Sequence, residues 1–206
     1  MAALKKRDFC MRQILAFLFA ITVAFCSACH VNVAPDPRVE KAVLWAQSIA
    51  KDASHGYSQG AENASAKHPY TGSREGPDYD CSSLVYHAFT AGGFPVIDAW
   101  QKSEAFMKRY AGQQYSGDSD TLRDDLPASG PFEIIPYKEG VMKLQRGDVL
   151  YAKGHVAIYI GDGKTVEARG VQNPRGGDWV TGDQGGEIDF YEAAGRPWLE
   201  IYRFKR

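Results

Sequence analysis

Between Gly147 and Arg169 the chain reads Gly-Asp-Val-Leu-Tyr-Ala-Lys-Gly-His-Val-Ala-Ile-Tyr-Ile-Gly-Asp-Gly-Lys-Thr-Val-Glu-Ala-Arg, and no other stretch constrains the fold as tightly. Val149 to Tyr151 and His155 to Ile160 are rich in β-branched and aromatic residues, and Thr165 to Arg169 makes a third such run. Three consecutive strands are therefore predicted, with Gly147-Asp148 as the turn leading in. The break between the second and third is Gly161-Asp162-Gly163. A three-residue loop there, with Gly163 left-handed as a bulge, pairs Ile160 with Lys164, Ala157 with Glu167 and His155 with Arg169. That register sets His155 and Glu167 on one face as diagonal neighbours. A two-residue Asp162-Gly163 turn would instead send Glu167 to the opposite face, so the loop type decides whether the two side chains meet.

The second constraint is a helix. In Pro-Asp-Tyr-Asp-Cys-Ser-Ser-Leu-Val-Tyr, residues 77 to 86, a turn runs into an apolar face made by Leu84, Val85, Ala88 and Phe89. Asp80 is the predicted cap, Gly92-Gly93 the stop, and the helix runs from Cys81 to about Ala91. Cys81 then sits in the first turn, where free backbone N–H groups and the macrodipole favour a thiolate, while the adjacent Asp80 works against it. The other cysteines, Cys10, Cys26 and Cys29, lie in or beside an apolar leader, so the body has one thiol and no internal disulfide. A thiol, an imidazole and a carboxylate in the order Cys81, His155, Glu167 supply a nucleophile, its base and the group that orients the base. The plainer readings are a small buried hydrophobe at Cys81 and an exposed strand carboxylate at Glu167. His87 lies about 600° around the helix from Cys81, on a different face, and is not placed to serve as the base. His55 and His68 fall in polar loops.

On Asp80-Cys81-Ser82-Ser83, Gly147-Asp148 and His155 to Gly161, the body resembles the NlpC-type cysteine peptidase superfamily of cell-wall hydrolases. It is similar in particular to a phage-lysin-like subgroup, through His55-Gly56-Tyr57, Gly76 to Ser83, Gly182-Asp183-Gln184 and Glu187-Ile188. The resemblance spans from about residue 37 to the end. It implies an α+β, papain-like fold, with N-terminal helices packed on a central antiparallel sheet, the cysteine at a helix start and the histidine on an adjoining strand. Many NlpC-type enzymes have a second histidine as the third member. Glu167 stands at that place here, as an acidic residue does in the related CHAP amidases. The polar stretch Ser58 to Glu75 is longer than the subgroup's usual link.

The resemblance also implies an activity. Cys81 attacks an amide carbonyl of peptidoglycan, His155 moves the proton, Glu167 holds the imidazole, and the product leaves through a thioester acyl-enzyme. The Cys81 backbone N–H is the first oxyanion donor and the Tyr57 hydroxyl a second. Asp80, Ser82, Trp179 and Asp183 are further candidates for oxyanion or substrate contact; for Trp179 and Asp183 the competing readings are a packed aromatic and a turn carboxylate. The expected bond lies in the stem peptide (an endopeptidase). An N-acetylmuramoyl-L-alanine amidase on the same triad is the alternative, followed by a transacylase or a catalytically silent cell-wall-binding protein.

Composition bounds the rest. At 206 residues and 44% hydrophobic content, the chain has enough apolar material for one core, so residues 37–206 are expected to form a single catalytic domain, monomeric and without a separate wall-binding module. Net charge is -1 with Lys and Arg scattered, which argues against nucleic acid. No His-Glu-x-x-His or paired-cysteine spacing is present, so neither a metal nor a cofactor is expected. Lys5, Lys6, Arg7 and Arg12 precede an apolar run from Ile14 to Phe25, the pattern of a secretory leader over residues 1–29. Ser27-Ala28 offers a cleavage point, and Cys26-Ser27-Ala28-Cys29 resembles a lipoprotein site with Cys29 lipidated. Either route exports the chain to the periplasm or cell envelope, and lipid on Cys29 would tie it to the membrane. Met11 offers an alternative start that gives a leader of more ordinary length.

After a linker over 30–36, Asp36-Pro37 is predicted to open a helix to about Lys51, with Val39, Ala42, Val43, Ala46 and Ile49 as its core stripe. Ser103 to Tyr110 reads as helical and Gly117 to Gly130 as turn-rich, in a region expected to line the cleft. Gly170 to Gly186 is a glycine-rich loop carrying Trp179, and Trp198 to Phe204 a closing strand.

Overall fold

A computed structural model describes residues 35–60, 73–103, 116–170, 181–183 and 185–206. The leader with Cys10, Cys26 and Cys29, most of the 103–110 segment, His68 and Trp179 lie outside the described residues.

The first element is α1 (Pro37–Ile49), whose five buried residues are the stripe named above. The Asp36 carboxylate accepts from the Arg38 backbone N–H at 2.9 Å, and Pro37 fills the position where no amide proton is needed. Helix α1 packs on α2 (Cys81–Gly92), which in turn packs on the sheet. Gly93, with φ of 98°, ends α2 in the left-handed region. Leu84, Val85, Tyr86, Ala88 and Phe89 are all buried, so α2 is enclosed on nearly every side. Two short helices follow, α3 (Val96–Gln101) and α4 (Leu122–Ser129). The latter corrects the turn-rich reading of Gly117 to Gly130. Leu122 and Leu126, one helical turn apart and both fully buried, hold it against the body, a stripe too short to stand out from its acidic neighbours.

Six antiparallel strands follow: β1 (Phe132–Pro136), β2 (Val149–Ala152), β3 (His155–Gly161), β4 (Lys164–Ala168), β5 (Ile188–Glu192) and β6 (Glu200–Phe204). Their spatial order is β1-β6-β2-β3-β4-β5, so the last strand lies inside the sheet, between β1 and β2. Strand alternation sorts the core into two. Val149, Val156, Ile158, Val166 and Tyr202 face the helices, while Leu150, Ala152, Ala157 and Ile201 build a smaller cluster with Trp198 on the other side. A Cβ at Gly147 would stand 2.0 Å from Val39 Cγ1, which is why the turn into β2 passes α1 on a glycine.

The β3–β4 hairpin has the expected register by a different route. Its loop is the two-residue Asp162-Gly163 turn, both residues at positive φ (50° and 74°), closed by Gly161 opposite Lys164. A bulge between Tyr159 and Gly161 then inserts one residue and restores Tyr159 opposite Thr165 and Ile158 opposite Val166. Ala157 is thereby brought level with Glu167. The turn alone would have sent the carboxylate to the wrong face; the bulge returns it.

Candidate active site

Cys81 is the first residue of α2, and the Asp80 cap fixes that helix start. Asp80 Oδ1 accepts from the Ser83 N–H at 2.7 Å and from Ser82 Oγ at 2.8 Å, while Ser83 Oγ accepts from the Asp80 N–H at 2.9 Å. Arg74 clamps the same carboxylate, Nε to Oδ2 at 2.7 Å and Nη2 to Oδ1 at 3.1 Å, and bonds Ser82 Oγ and the Ser116 and Gly117 carbonyls. The polar atoms of Asp80 and Ser82 thus build the helix start that presents Cys81.

Burial, followed by the negative charge of Asp80, pushes the Cys81 thiol up to about 12, against opposing contributions from the Val156 N–H, Arg74 and the Ser82 N–H. Burial and Asp80 thus oppose the thiolate that the start of α2 favours. The sulfur and the imidazole line the same cleft, at the starts of α2 and β3.

His155 Nε2 lies 2.7 Å from Glu167 Oε2. The carboxylate is fully buried, receives Thr165 Oγ1 on Oε1 at 2.7 Å and Arg196 Nη2 on Oε2 at 2.7 Å, and has Arg169 Nε at 3.9 Å. Burial raises its pKa, but the His155 and Thr165 hydrogen bonds, the His155 charge and Arg196 outweigh that and leave it below the usual carboxylate range. An ionised carboxylate only accepts, so Nε2 carries the proton and Nδ1 is the basic nitrogen. Trp198 backs the imidazole, ring centroids 5.9 Å apart and 20° from parallel, and its indole N–H is anchored on the Ala193 carbonyl at 2.8 Å.

Cys81, His155, Tyr57, Arg169, Arg196 and Trp198 share one cleft of about 320 Å³, which Ala152, Lys153, Gly154, Ala168, Gly170 and Pro197 complete. Three separated segments are tied together at one end of it. Asp78 Oδ1 accepts from the Gly56 N–H at 2.8 Å and the Gly182 N–H at 2.9 Å, and Glu187 Oε2 accepts from the Tyr57 N–H at 2.9 Å. A Cβ at Gly56 would stand 2.2 Å from the Gly182 carbonyl oxygen, so this junction closes only on glycine. Tyr57 reaches the cleft, and its hydroxyl accepts from Gln59 Nε2 at 2.8 Å. Among the described residues Asp183 is not part of the lining. Its carboxylate accepts from the N–H groups of Gly185, Gly186 and Glu187; burial raises its pKa, but those bonds more than offset it and hold the group low.

His87 is engaged elsewhere, 2.8 Å from Glu75 Oε2 and packed near Trp45 and Tyr79, and His55 Nδ1 lies 2.6 Å from the Pro77 carbonyl. Among the described residues no group of three or more His, Cys, Asp or Glu side chains is arranged to hold a metal, and no helix is long and apolar enough to cross a membrane. Sequence reasoning missed Arg74, Arg196 and Trp198. No local motif marks them; only Asp78, Gly56, Gly182 and Glu187 lay inside blocks already singled out.

A helix-borne thiol and a sheet-borne imidazole–carboxylate pair thus line one cleft, on helices packed against a six-stranded antiparallel sheet. The chain belongs to the NlpC/P60 family, whose model matches residues 57–179, more than half of its length. Among solved structures it is similar to NlpC1 from Trichomonas vaginalis, at 14% identity over 84% of this chain and 46% of that one, TM-score 0.44. It is similar to the peptidoglycan hydrolase RipB from Mycobacterium tuberculosis at 20% identity, 84% and 69% coverage and TM-score 0.39. A P60 domain from M. avium subspecies paratuberculosis gives 20%, 79% and 92%, and 0.36. The chain spans about half the length of the Trichomonas protein. No match was found among curated proteins.

Proposed function

We propose that this chain is an exported, cysteine-dependent peptidoglycan hydrolase that cuts an amide bond in the stem peptide. The observation that carries the reading is the 2.7 Å bond from His155 Nε2 to a fully buried Glu167, in the cleft that Cys81 enters from the start of α2. The reaction begins when a bound peptide brings its carbonyl to Sγ and His155 Nδ1 takes the thiol proton. The sulfur attacks as the proton leaves it, and Glu167 stabilises the imidazolium so formed. The oxyanion meets the Cys81 N–H, which precedes the first ladder bond of α2 (Leu84 N–H to Asp80 carbonyl), and the Tyr57 hydroxyl. Collapse breaks the C–N bond, Nδ1–H protonates the departing amine, and a thioester remains. Water then attacks the thioester, giving its proton to Nδ1, and the carboxylate product leaves as the thiol re-forms.

Peptidoglycan lies outside the cytoplasm, so the reading includes export through the residue 1–29 leader, with lipid on Cys29 in an anchored form. The test is digestion of purified peptidoglycan followed by mass spectrometry of the products. Shortened stem peptides still attached to sugar are expected; sugar-free intact stems would make the enzyme an amidase. Undiminished activity in a folded Cys81→Ala protein would remove the mechanism altogether.

A further inference from the structure

The described residues lining the cleft include three permanent cations, Lys153, Arg169 and Arg196, and no acid, in a chain whose net charge is -1. Glu167 is the carboxylate behind them, and it is shared: Oε2 takes both His155 and Arg196 at 2.7 Å, with Arg169 at 3.9 Å. Arg196 is committed to that bond. Arg169 is about one-third exposed, and its guanidinium lies over the Tyr191 ring, 4.5 Å from the centroid, which fixes its plane before any ligand arrives. Lys153 projects from the exposed turn between β2 and β3, two residues before His155. Among the described residues that line the cleft the charges are thus all positive, and Lys153 and Arg169 share that lining with the thiol.

We propose that Lys153 and Arg169 form a carboxylate-binding subsite beside Cys81. The favoured substrate is then a peptide bearing a free carboxylate next to the scissile amide, and the matching carboxamide is a poor one. The chemistry is that of a planar guanidinium and a mobile ammonium accepting an anion, with the amide form unable to supply charge to either. This rests on the peptidase reading of the cleft. Each half-exposed ion pair contributes a few-fold, so together they are worth about tenfold in selectivity.

The experiment uses two synthetic stem peptides that differ only in carboxylate or carboxamide on the residue beside the cut. Turnover by the wild-type protein is compared with that of Lys153→Gln, Arg169→Gln and the double variant, and binding of both peptides to Cys81→Ala is measured by calorimetry. The wild-type kcat/KM ratio should favour the carboxylate by about tenfold, chiefly through KM, shrink in 0.5 M salt (order of magnitude set by a Debye length of about 4 Å), and fall to about one in the double variant. Arg169→Lys, which keeps the charge, should retain most of the preference. Equal wild-type rates on both peptides, or a preference that survives in the double variant, would overturn the subsite while leaving the hydrolase reading intact. If neither peptide is cut, calorimetry still decides: a carboxylate preference supports the subsite, and equal or no binding refutes it.

Discussion

Replacing Glu167 with Gln removes a charge while keeping nearly every hydrogen bond, which isolates what the charge does. Oε2 serves two donors, His155 and Arg196, and Oε1 serves only Thr165 Oγ1. A glutamine would place its oxygen on the two donors and its NH2 toward Thr165, whose hydroxyl already has the Tyr191 carbonyl at 3.3 Å as another acceptor. The histidine tautomer therefore survives, with the proton on Nε2. What disappears is the attraction between the carboxylate and the imidazolium formed when Cys81 gives up its proton. Two unit charges about 4 Å apart at an effective dielectric near 20 attract by about 4 kcal/mol. Arg196 and Arg169, left without a counter-charge, add repulsion. The loss corresponds to about 10³-fold in kcat/KM, with a melting temperature close to the wild-type value. The assay is muropeptide turnover followed by chromatography, paired with a thermal melt. A folded Glu167→Gln protein that retains more than about a tenth of wild-type activity would refute the reasoning.

The thiol pushed up to about 12 should make alkylation of Cys81 by iodoacetamide slow at neutral pH and still accelerating above pH 10 (on the order of tenfold per unit, as thiolate fraction dictates); a rate already on a plateau in acid, read by peptide mass spectrometry, would indicate a preformed ion pair instead. Arg74→Ala leaves the largely buried Asp80 carboxylate without its cation and should cost about 3–5 kcal/mol of stability in urea denaturation. Burial lifts Asp125 to about 6, although the Tyr86 hydroxyl bonded to it pulls the other way. The native state then holds that proton more tightly than the unfolded chain, so Asp125 lowers stability as pH rises between about 4 and 6, by at most about 3 kcal/mol. Asp125→Asn should therefore gain on the wild type in urea midpoint from pH 4 to 7, and a constant difference would contradict this.

The helices α1 and α2 were legible because each carries a cap, a periodic stripe and a stop within a dozen or so residues. The β3–β4 hairpin was legible in register but not in cause. The two-residue turn and the bulge shift the pairing in opposite senses, and only their sum shows in the side-chain pattern. Strands β1 and β5 escaped notice because they lie at the edges and are buried only at their first residues, which leaves weak alternation. Cys81, His155 and Glu167 were readable from short-range order, since a helix start and one hairpin hold all three. Arg74, Arg196 and Trp198 act across long loops, through contacts that no periodicity encodes. The upward push on the Cys81 thiol comes first from burial of the sulfur, which local sequence does not encode.

The interior position of β6 governs timing. Strands β1 and β2 cannot be joined into one sheet until residues 200–204 are available, and Arg196 and Trp198, which brace Glu167 and His155, arrive just ahead of them. A chain halted before this point has Cys81 and the β3–β4 hairpin but lacks the side chains that brace His155 and Glu167. The surroundings of His155 and Glu167 are thus completed only when the strand that comes last in sequence among the described ones takes its place inside the sheet.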